Sequence, residues 1–388
     1  MTLVYVLFAG ALVLGLVTGK DFIQVAAIFS QGLLDPSTLQ LLGVITLIEM
    51  LTIFLEFTGS LQRILVALRR VFADSRVLIA LVPSLLGLFP VPGGAMLSAP
   101  MVGVYGDEIG FKGNRKSAVN LFFRHIWDQV FPFKPHLILA AAVVHIPLFT
   151  LIGWHLPITL FSVFIGYWYL IGRHSTPELV EQARSADRNG ERPLWVEVAP
   201  LVIPLILGLG FRVDFVYAMA AGLLFGLLTQ PVSRSMLGKI CKKGIRPQLL
   251  LILASVMIFK ASLESSGLVK VLGDLLPGYG IPLVFLAFTL PLLISLATGI
   301  EIVAVGMAYP LLLGLVPPGA PVLPYVLIMM TANAIGQTHS PVHICMVVGN
   351  EYFGARLAKV IQMSLVPQGL RLVATFLFAW ALSIYWTP

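Results

Sequence analysis

The chain has 388 residues, 58% of them hydrophobic and only 11% charged, with a formal net charge of +7 and two cysteines. That is too little charge to cover a water-soluble protein of this length, so the composition points to an integral membrane protein built of helices, which satisfy their own backbone polar groups in lipid. The basic balance fits Lys and Arg gathered in cytoplasmic loops, and no basic stripe with interleaved aromatics marks a nucleic-acid partner.

The first apolar stretch, 2–19, lacks a basic leader and reads as a retained crossing. Residues 22–35 read as a short interfacial helix, and 37–57 as a second crossing. Residues 77–105 are apolar but broken at Pro90-Val-Pro92-Gly93-Gly94. Each arm is about 12–15 residues, or roughly 18–22 Å of helix, too short to span comfortably, so the stretch reads as a re-entrant hairpin. Crossings at 117–141 and 148–171 follow. The one long polar loop, 172–194, leads to crossings at 195–211, 213–230 and 248–265. A second apolar stretch, 282–316, is broken at Thr298-Gly299 and reads as a second re-entrant hairpin. Crossings at 326–348 and 361–385 complete the chain.

The chain also repeats itself. Glu56-Phe-Thr-Gly59 recurs as Glu264-Ser-Ser-Gly267, Pro83 as Pro291 and Gln129 as Gln337, all at a spacing of 208 residues. The expected organisation is a first repeat at 1–171, a linker with an extra helix at 172–212 and a second repeat at 213–388. With the N-terminus cytoplasmic, eighteen Lys and Arg fall on the cytoplasmic side against three, Lys20, Arg212 and Lys270, outside. That asymmetry is what the positive-inside rule asks of a topology. The extra helix reverses the second copy, so the predicted fold class is an all-α polytopic inverted repeat with two hairpins and two interrupted helices. Such duplications are common in secondary transporters, with substrate bound near mid-membrane where the copies meet.

The interrupted helices carry the chemistry. One runs through Arg124-His125-Ile-Trp-Asp128-Gln129 to Lys134-Pro-His136. The other runs through Asn333-Ala-Ile-Gly-Gln337-Thr338-His339-Ser340-Pro341-Val-His343. Prolines there free carbonyls one turn back, and such backbone is tolerated at depth only where protein buries it or it lines a wet cavity. Candidate substrate contacts are Pro92, Gly93, Gly94, Gln129, Lys134, His136, Thr298, Gly299, Asn333, Gln337, Thr338, His339, Ser340 and His343. Asp128 and Glu301 are candidate ion-coupling carboxylates, because intramembrane charge costs about 2.5–3.5 kcal/mol and needs a partner or a task. The plainer reading of both is an ion pair with Arg124 or Lys134. Arg371 is expected to find an internal carboxylate. Glu49, Glu56, Lys260 and Glu264 read as structural. Cys241 and Cys345 show no metal or redox spacing and read as structural too, and no metal site is expected. No nucleotide-binding or zinc-protease motif occurs.

The hairpin tip Pro90-Val-Pro-Gly-Gly-Ala-Met96, the run Ser340-Pro-Val-His-Ile-Cys345 and Asn350-Glu-Tyr-Phe353 resemble the integral-membrane family catalogued as domain of unknown function 401. That family is grouped with the ion-transporter superfamily of citrate, gluconate, lactate, dicarboxylate and arsenite permeases. The resemblance implies an elevator-type transporter, often a homodimer. The Ser-Asn-Thr tips of the sodium-dicarboxylate members are replaced here by Pro92-Gly93-Gly94 and Thr298-Gly299-Ile300-Glu301. The expected activity is secondary active transport of a small organic anion across the cytoplasmic membrane, coupled to H+ or Na+, with no other cofactor and no enzymatic reaction. The rivals are a cation/proton antiporter using Asp128 and Glu301, a membrane-embedded lipid-processing enzyme, and a channel.

Overall fold

The computed structural model describes residues 2–89, 94–172, 193–275 and 279–385, so Pro92, Gly93 and most of the polar loop 172–194 lie outside the described residues. The first repeat contains α1 (Thr2–Val17), α2 (Phe22–Leu34), α3 (Pro36–Phe57), α4 (Ser60–Val71), α5 (Ser75–Gly87), α6 (Gly94–Glu108), α7 (Gly113–His125), α8 (Pro135–Val144) and α9 (Leu148–Tyr167). The intervening helix is α10 (Leu194–Leu205). The second repeat contains α11 (Phe215–Thr229), α12 (Arg234–Gly244), α13 (Pro247–Ser266), α14 (Leu268–Leu275), α15 (Leu283–Thr298), α16 (Glu301–Leu313), α17 (Leu323–His339), α18 (Ile344–Phe353) and α19 (Leu357–Tyr385). Both α9 and α10 end in a turn of π-helix. Each helix of the first repeat thus has a successor at the same place in the second, and no strand occurs among the described residues.

Short polar side chains start many of these helices. Asp21 caps α2 in a capping box with Gln24, Asp35 precedes Pro36 at the first turn of α3, and Asp74, Asp214 and Ser233 cap α5, α11 and α12. Each satisfies a backbone N–H that the first turn leaves free. The α3–α4 and α13–α14 junctions turn on Gly59 and Gly267, with φ of 71° and 70°. The left-handed backbone that favours glycine is therefore duplicated along with the sequence.

Three helices were not foreseen. α4 and α12 lie where cytoplasmic loops were expected, and α14 follows the expected crossing. α4 and α12 are short, polar on one face, and end in Arg69-Arg70 and Lys242-Lys243, which suit a helix C-terminus. Window hydropathy averages over such amphipathic helices and misses them. Among the described residues, four helical stretches are long and apolar enough alone to cross a membrane: Pro36–Phe57, Leu148–Gly172, Arg234–Ser266 and Leu357–Ile384. The other five expected crossings are either short (α1, α10, α11) or divided in two (α7/α8, α17/α18).

Packing sorts the helices into two groups. α1 and α2 pack on α13, α11 and α12 pack on α3, and α10 packs on α4 and α11. The other group joins the hairpins α5/α6 and α15/α16 to α7 and α17. Partners cross between the repeats in matching fashion: α8 packs on α16, and α18 packs on α6. At one end of the molecule Arg356 N donates to Asn114 Oδ1 at 2.8 Å and Ser117 Oγ to Asn350 Oδ1 at 2.6 Å, which gathers the basic starts of α7 and α19. At the other end a cavity of about 1100 Å³ opens among His145, Lys260, Glu264, Lys270, Pro317 and Pro318.

Candidate functional site

Both interrupted helices break beside hairpin two. α7 ends at His125, and the chain turns through 126–134 until Pro135 opens α8 with its ring in the first turn, where no N–H is missed. α17 ends at His339, and Pro341 prevents its continuation before His343 starts α18. Hairpin two turns at Gly299, whose φ is 71° and whose added Cβ would lie 3.0 Å from the His343 backbone. Glycine is needed there for the turn and for the close approach alike.

The side chains meet in two adjoining clusters. In the first, Asp128 Oδ1 lies 2.6 Å from Lys134 Nζ, and Asp128 Oδ2 accepts from His125 Nδ1 at 2.7 Å. Lys134 also donates to the Gly87 carbonyl and so ties the break to hairpin one. His343 Nδ1 donates to the Gly299 carbonyl at 2.9 Å, and its Nε2 faces His125 Nε2 at 3.0 Å. Cys345 stands beside both rings. In the second cluster, Glu301 Oε2 accepts from Gln129 Nε2 at 2.9 Å and pairs with His136 Nε2 at 2.7 Å. His136 Nε2 also reaches the Asp128 carbonyl at 3.1 Å, which joins the clusters. Asn333 Nδ2 donates to the Glu301 carbonyl at 3.3 Å and its Oδ1 accepts from Ser295 Oγ.

Asp128 and Glu301 are 2% exposed each and both are paired. The partners are Lys134, as one plain reading had it, and histidines; Arg124 is not among them. Arg371, 1% exposed, departs from expectation: among the described residues no carboxylate lies within ion-pair distance, and its Nε and Nη2 have no hydrogen-bond partner. Glu301 and Asp128 act on it only from farther away. Arg124 Nη1, Glu301 Oε1 and Gln337 Oε1 are likewise without a hydrogen bond among the described residues.

Other expected site residues lie apart from these clusters or serve the backbone. Thr338 bonds the Ala334 carbonyl and accepts from Gln368, His339 is held between the Ile335 carbonyl and Ser364, and Ser340 caps Val342 N. Thr298 bonds the Ile294 carbonyl at the hairpin tip, and Gly94 starts α6. Pro92 and Gly93 lie outside the described residues. Sequence reasoning missed His125 and Cys345 as members. The one local signal was His343-Ile-Cys345, two ligand-type side chains at a helix start. Nothing in the sequence placed His125, 218 positions earlier, against them.

The family described as "Protein of unknown function (DUF401)" matches residues 2–382. A search of the curated proteins finds no match. Among solved structures, the chain is similar to the Alcanivorax borkumensis YdaH transporter, whose crystal structure is described as revealing an unusual topology. The TM-score is 0.70 at 13% identity, over 100% of this chain and 99% of that one. At that identity the likeness shows the fold.

Proposed function

This chain belongs to the family described as protein of unknown function DUF401, and from that membership and the clusters above we propose that it is a secondary active transporter of a small organic anion, coupled to H+ or Na+. The supporting observation is the charge balance where the two breaks meet hairpin two. Lys134, Arg124 and Arg371, each at most 8% exposed, outnumber the two carboxylates Asp128 and Glu301. An uncompensated buried cation is costly, and a substrate carboxylate accepting from a guanidinium relieves that cost with short, charge-assisted hydrogen bonds. The description of YdaH as a transporter supports the same class of activity.

In this reading Asp128 and Glu301 carry the coupling ion, and Glu301 Oε1, which lacks a hydrogen bond among the described residues, is the free acceptor for it. The two repeats are inverted, the N-terminus is cytoplasmic, and the protein is a homodimer of the cytoplasmic membrane. The group carrying the hairpins and broken helices slides against the group built on α3 and α13. α8 and α16 lie against α3 and α13.

The experiment is uptake into liposomes by purified protein, using a panel of organic acids under imposed proton and sodium gradients. At least one anion should accumulate, and Arg371→Gln should cut its uptake by about tenfold to a hundredfold, the worth of a hydrogen bond to a charged group at about 1.5–3 kcal/mol. Movement of cations alone, lost on Asp128→Asn, would establish the antiporter instead.

A further inference from the structure

We propose that His125, His343 and Cys345 form a binding site for a borderline-to-soft divalent cation, of which Zn2+ is the type. The three ligand atoms lie within 4.8 Å of one another. They come from the end of α7 and the start of α18, so the site spans the two repeats.

The hydrogen bonding of the rings carries the inference. His125 Nδ1 is committed to the Asp128 carboxylate at 2.7 Å, and His343 Nδ1 to the Gly299 carbonyl at 2.9 Å. Both partners are acceptors, so both Nδ1 atoms carry the proton. A neutral imidazole then presents a lone pair at Nε2. Here the two Nε2 atoms face each other at 3.0 Å, with ring planes crossed at 69°. Two lone pairs that close repel unless a cation lies between them. On a tetrahedral ion with Zn–N bonds of about 2.0–2.1 Å, two imidazole nitrogens would stand about 3.3 Å apart, close to the separation seen.

The third group shows which cation fits. A shared proton needs only the two nitrogens, whereas Cys345 adds a sulfur within 4.8 Å of a nitrogen of each ring. Imidazole with thiolate suits Zn2+ and neighbouring transition metals, and does not suit Na+, Mg2+ or Ca2+, which prefer oxygen. The surroundings have the form usual for metal-bound histidines, one ring braced by a carboxylate and the other by a backbone carbonyl. Gly299 makes the second brace possible through its left-handed turn. Cys345 is partly exposed, so the cluster is not sealed within the packed core. Binding balances simply. The Cys345 thiol loses its proton to solvent, the two imidazoles stay neutral, and the fourth tetrahedral position remains for water or another ligand.

This site does not depend on the transport reading, and its test needs no transport. The full chain carrying Cys241→Ser, which leaves Cys345 as the only thiol, is purified in detergent, stripped with chelator and titrated with Co2+ and then Zn2+. Cys241 is exposed and is not one of the cluster's ligands. One Co2+ per chain should bind with a sulfur-to-cobalt charge-transfer absorption, and Zn2+ should displace it. His343→Gln, His125→Gln and Cys345→Ser should abolish that absorption, and Asp128→Asn should weaken Zn2+ binding by about 10–100-fold, as loss of a brace behind a ligand does. Absence of the charge-transfer absorption in the folded Cys241→Ser protein overturns the proposal, whatever the other variants do, and leaves the two nitrogens sharing a proton. Metal binding that survives both Cys345→Ser and His343→Gln overturns it as well.

Discussion

The α8–α16 pair and the α6–α18 pair are made of corresponding pieces of the two repeats, yet they sit in different surroundings. In each pair the second half of a broken helix lies along an arm of the opposite repeat's hairpin. α8 and α16 each bury a continuous run, Leu137 to Ala140 on one and Glu301 to Gly306 on the other, with α16 against α13 and α8 against α3. In α18 only Met346 and Gly349 are buried, while Ile344 and Val347 are 66% and 47% exposed, as are Met96 (55%) and Val104 (49%) of α6. The duplication therefore specifies which helices pair, and the fit against α3 and α13 decides which pair is covered. Gly306 shows one reason: a Cβ there would come 2.4 Å from Val256 Cγ2, and the corresponding position on α6 is Ser98.

The strongest test of this difference is chemical. In a background without Cys241 and Cys345, cysteines at Met96 and Ile344 should react with a small membrane-permeant maleimide, and those at Leu139 and Ala304 should stay unlabelled over the same time. Equal labelling at all four positions would erase the distinction. A smaller effect should come from wedging the covered pair open. Gly306→Leu overpacks the α13–α16 seam at a cost of about 1–3 kcal/mol, so cysteine labelling at Leu139 should rise about tenfold or more and the melting temperature should fall. Thermal unfolding of Gly59→Ala and Gly267→Ala should reveal how alike the repeats are where both keep the same turn. Each forces a Cβ into left-handed backbone at about 1–2 kcal/mol. Gly267 has nothing within 4 Å, whereas a Cβ at Gly59 would lie 3.2 Å from Arg63 Nη1, which donates to the Thr58 carbonyl in a guanidinium paired with buried Glu197, so Gly59→Ala should cost the more of the two.

The smallest effect separates the repeats again. Asp74 caps α5, whereas α15 has Pro282 at its N-cap and no side-chain cap. Asp74→Ala should cost about 1 kcal/mol in thermal unfolding, without a counterpart in the second repeat. The hydrogen bonds from Arg76 to Asp74 hold its carboxyl below the usual carboxylate range. A lowered folded value means the contribution is intact above the ordinary aspartate range and fades as pH falls through the lowered one. The gap in melting temperature between wild type and Asp74→Ala should therefore close only in acid.

Much of this was readable in advance. The 208-residue spacing is visible because both copies kept the residues whose backbone roles tolerate few substitutes: glycine at the Gly59 and Gly267 turns and proline inside α5 and α15. The two breaks were readable because Pro135 and Pro341 sit in otherwise apolar helices. The amphipathic helices α4, α12 and α14 were not, since one polar face cancels the hydropathy of the other. Within the site, the pairing of Lys134 with Asp128 was one of two foreseen, as the residues are close in the chain. The isolation of Arg371 was not foreseen. A charge's partner depends on distances across the bundle, and those are set by contacts such as Gly87 against Arg124, where an added Cβ would lie 1.9 Å from a carbonyl oxygen.

The sequence by itself determined that this is an all-helical, twice-repeated chain of strongly apolar helices with two hairpins and two breaks. Those properties follow from composition, periodicity and the local chemistry of Gly and Pro, which act over a few residues. Only the tertiary structure decided that His125 meets His343 and Cys345, that Glu301 is held by Gln129 and His136 of the other repeat, and that α8 and α16 are the covered pair. Those outcomes depend on how closely packed helices can approach, and close approach is a property of two surfaces at once, which neither stretch of sequence carries alone.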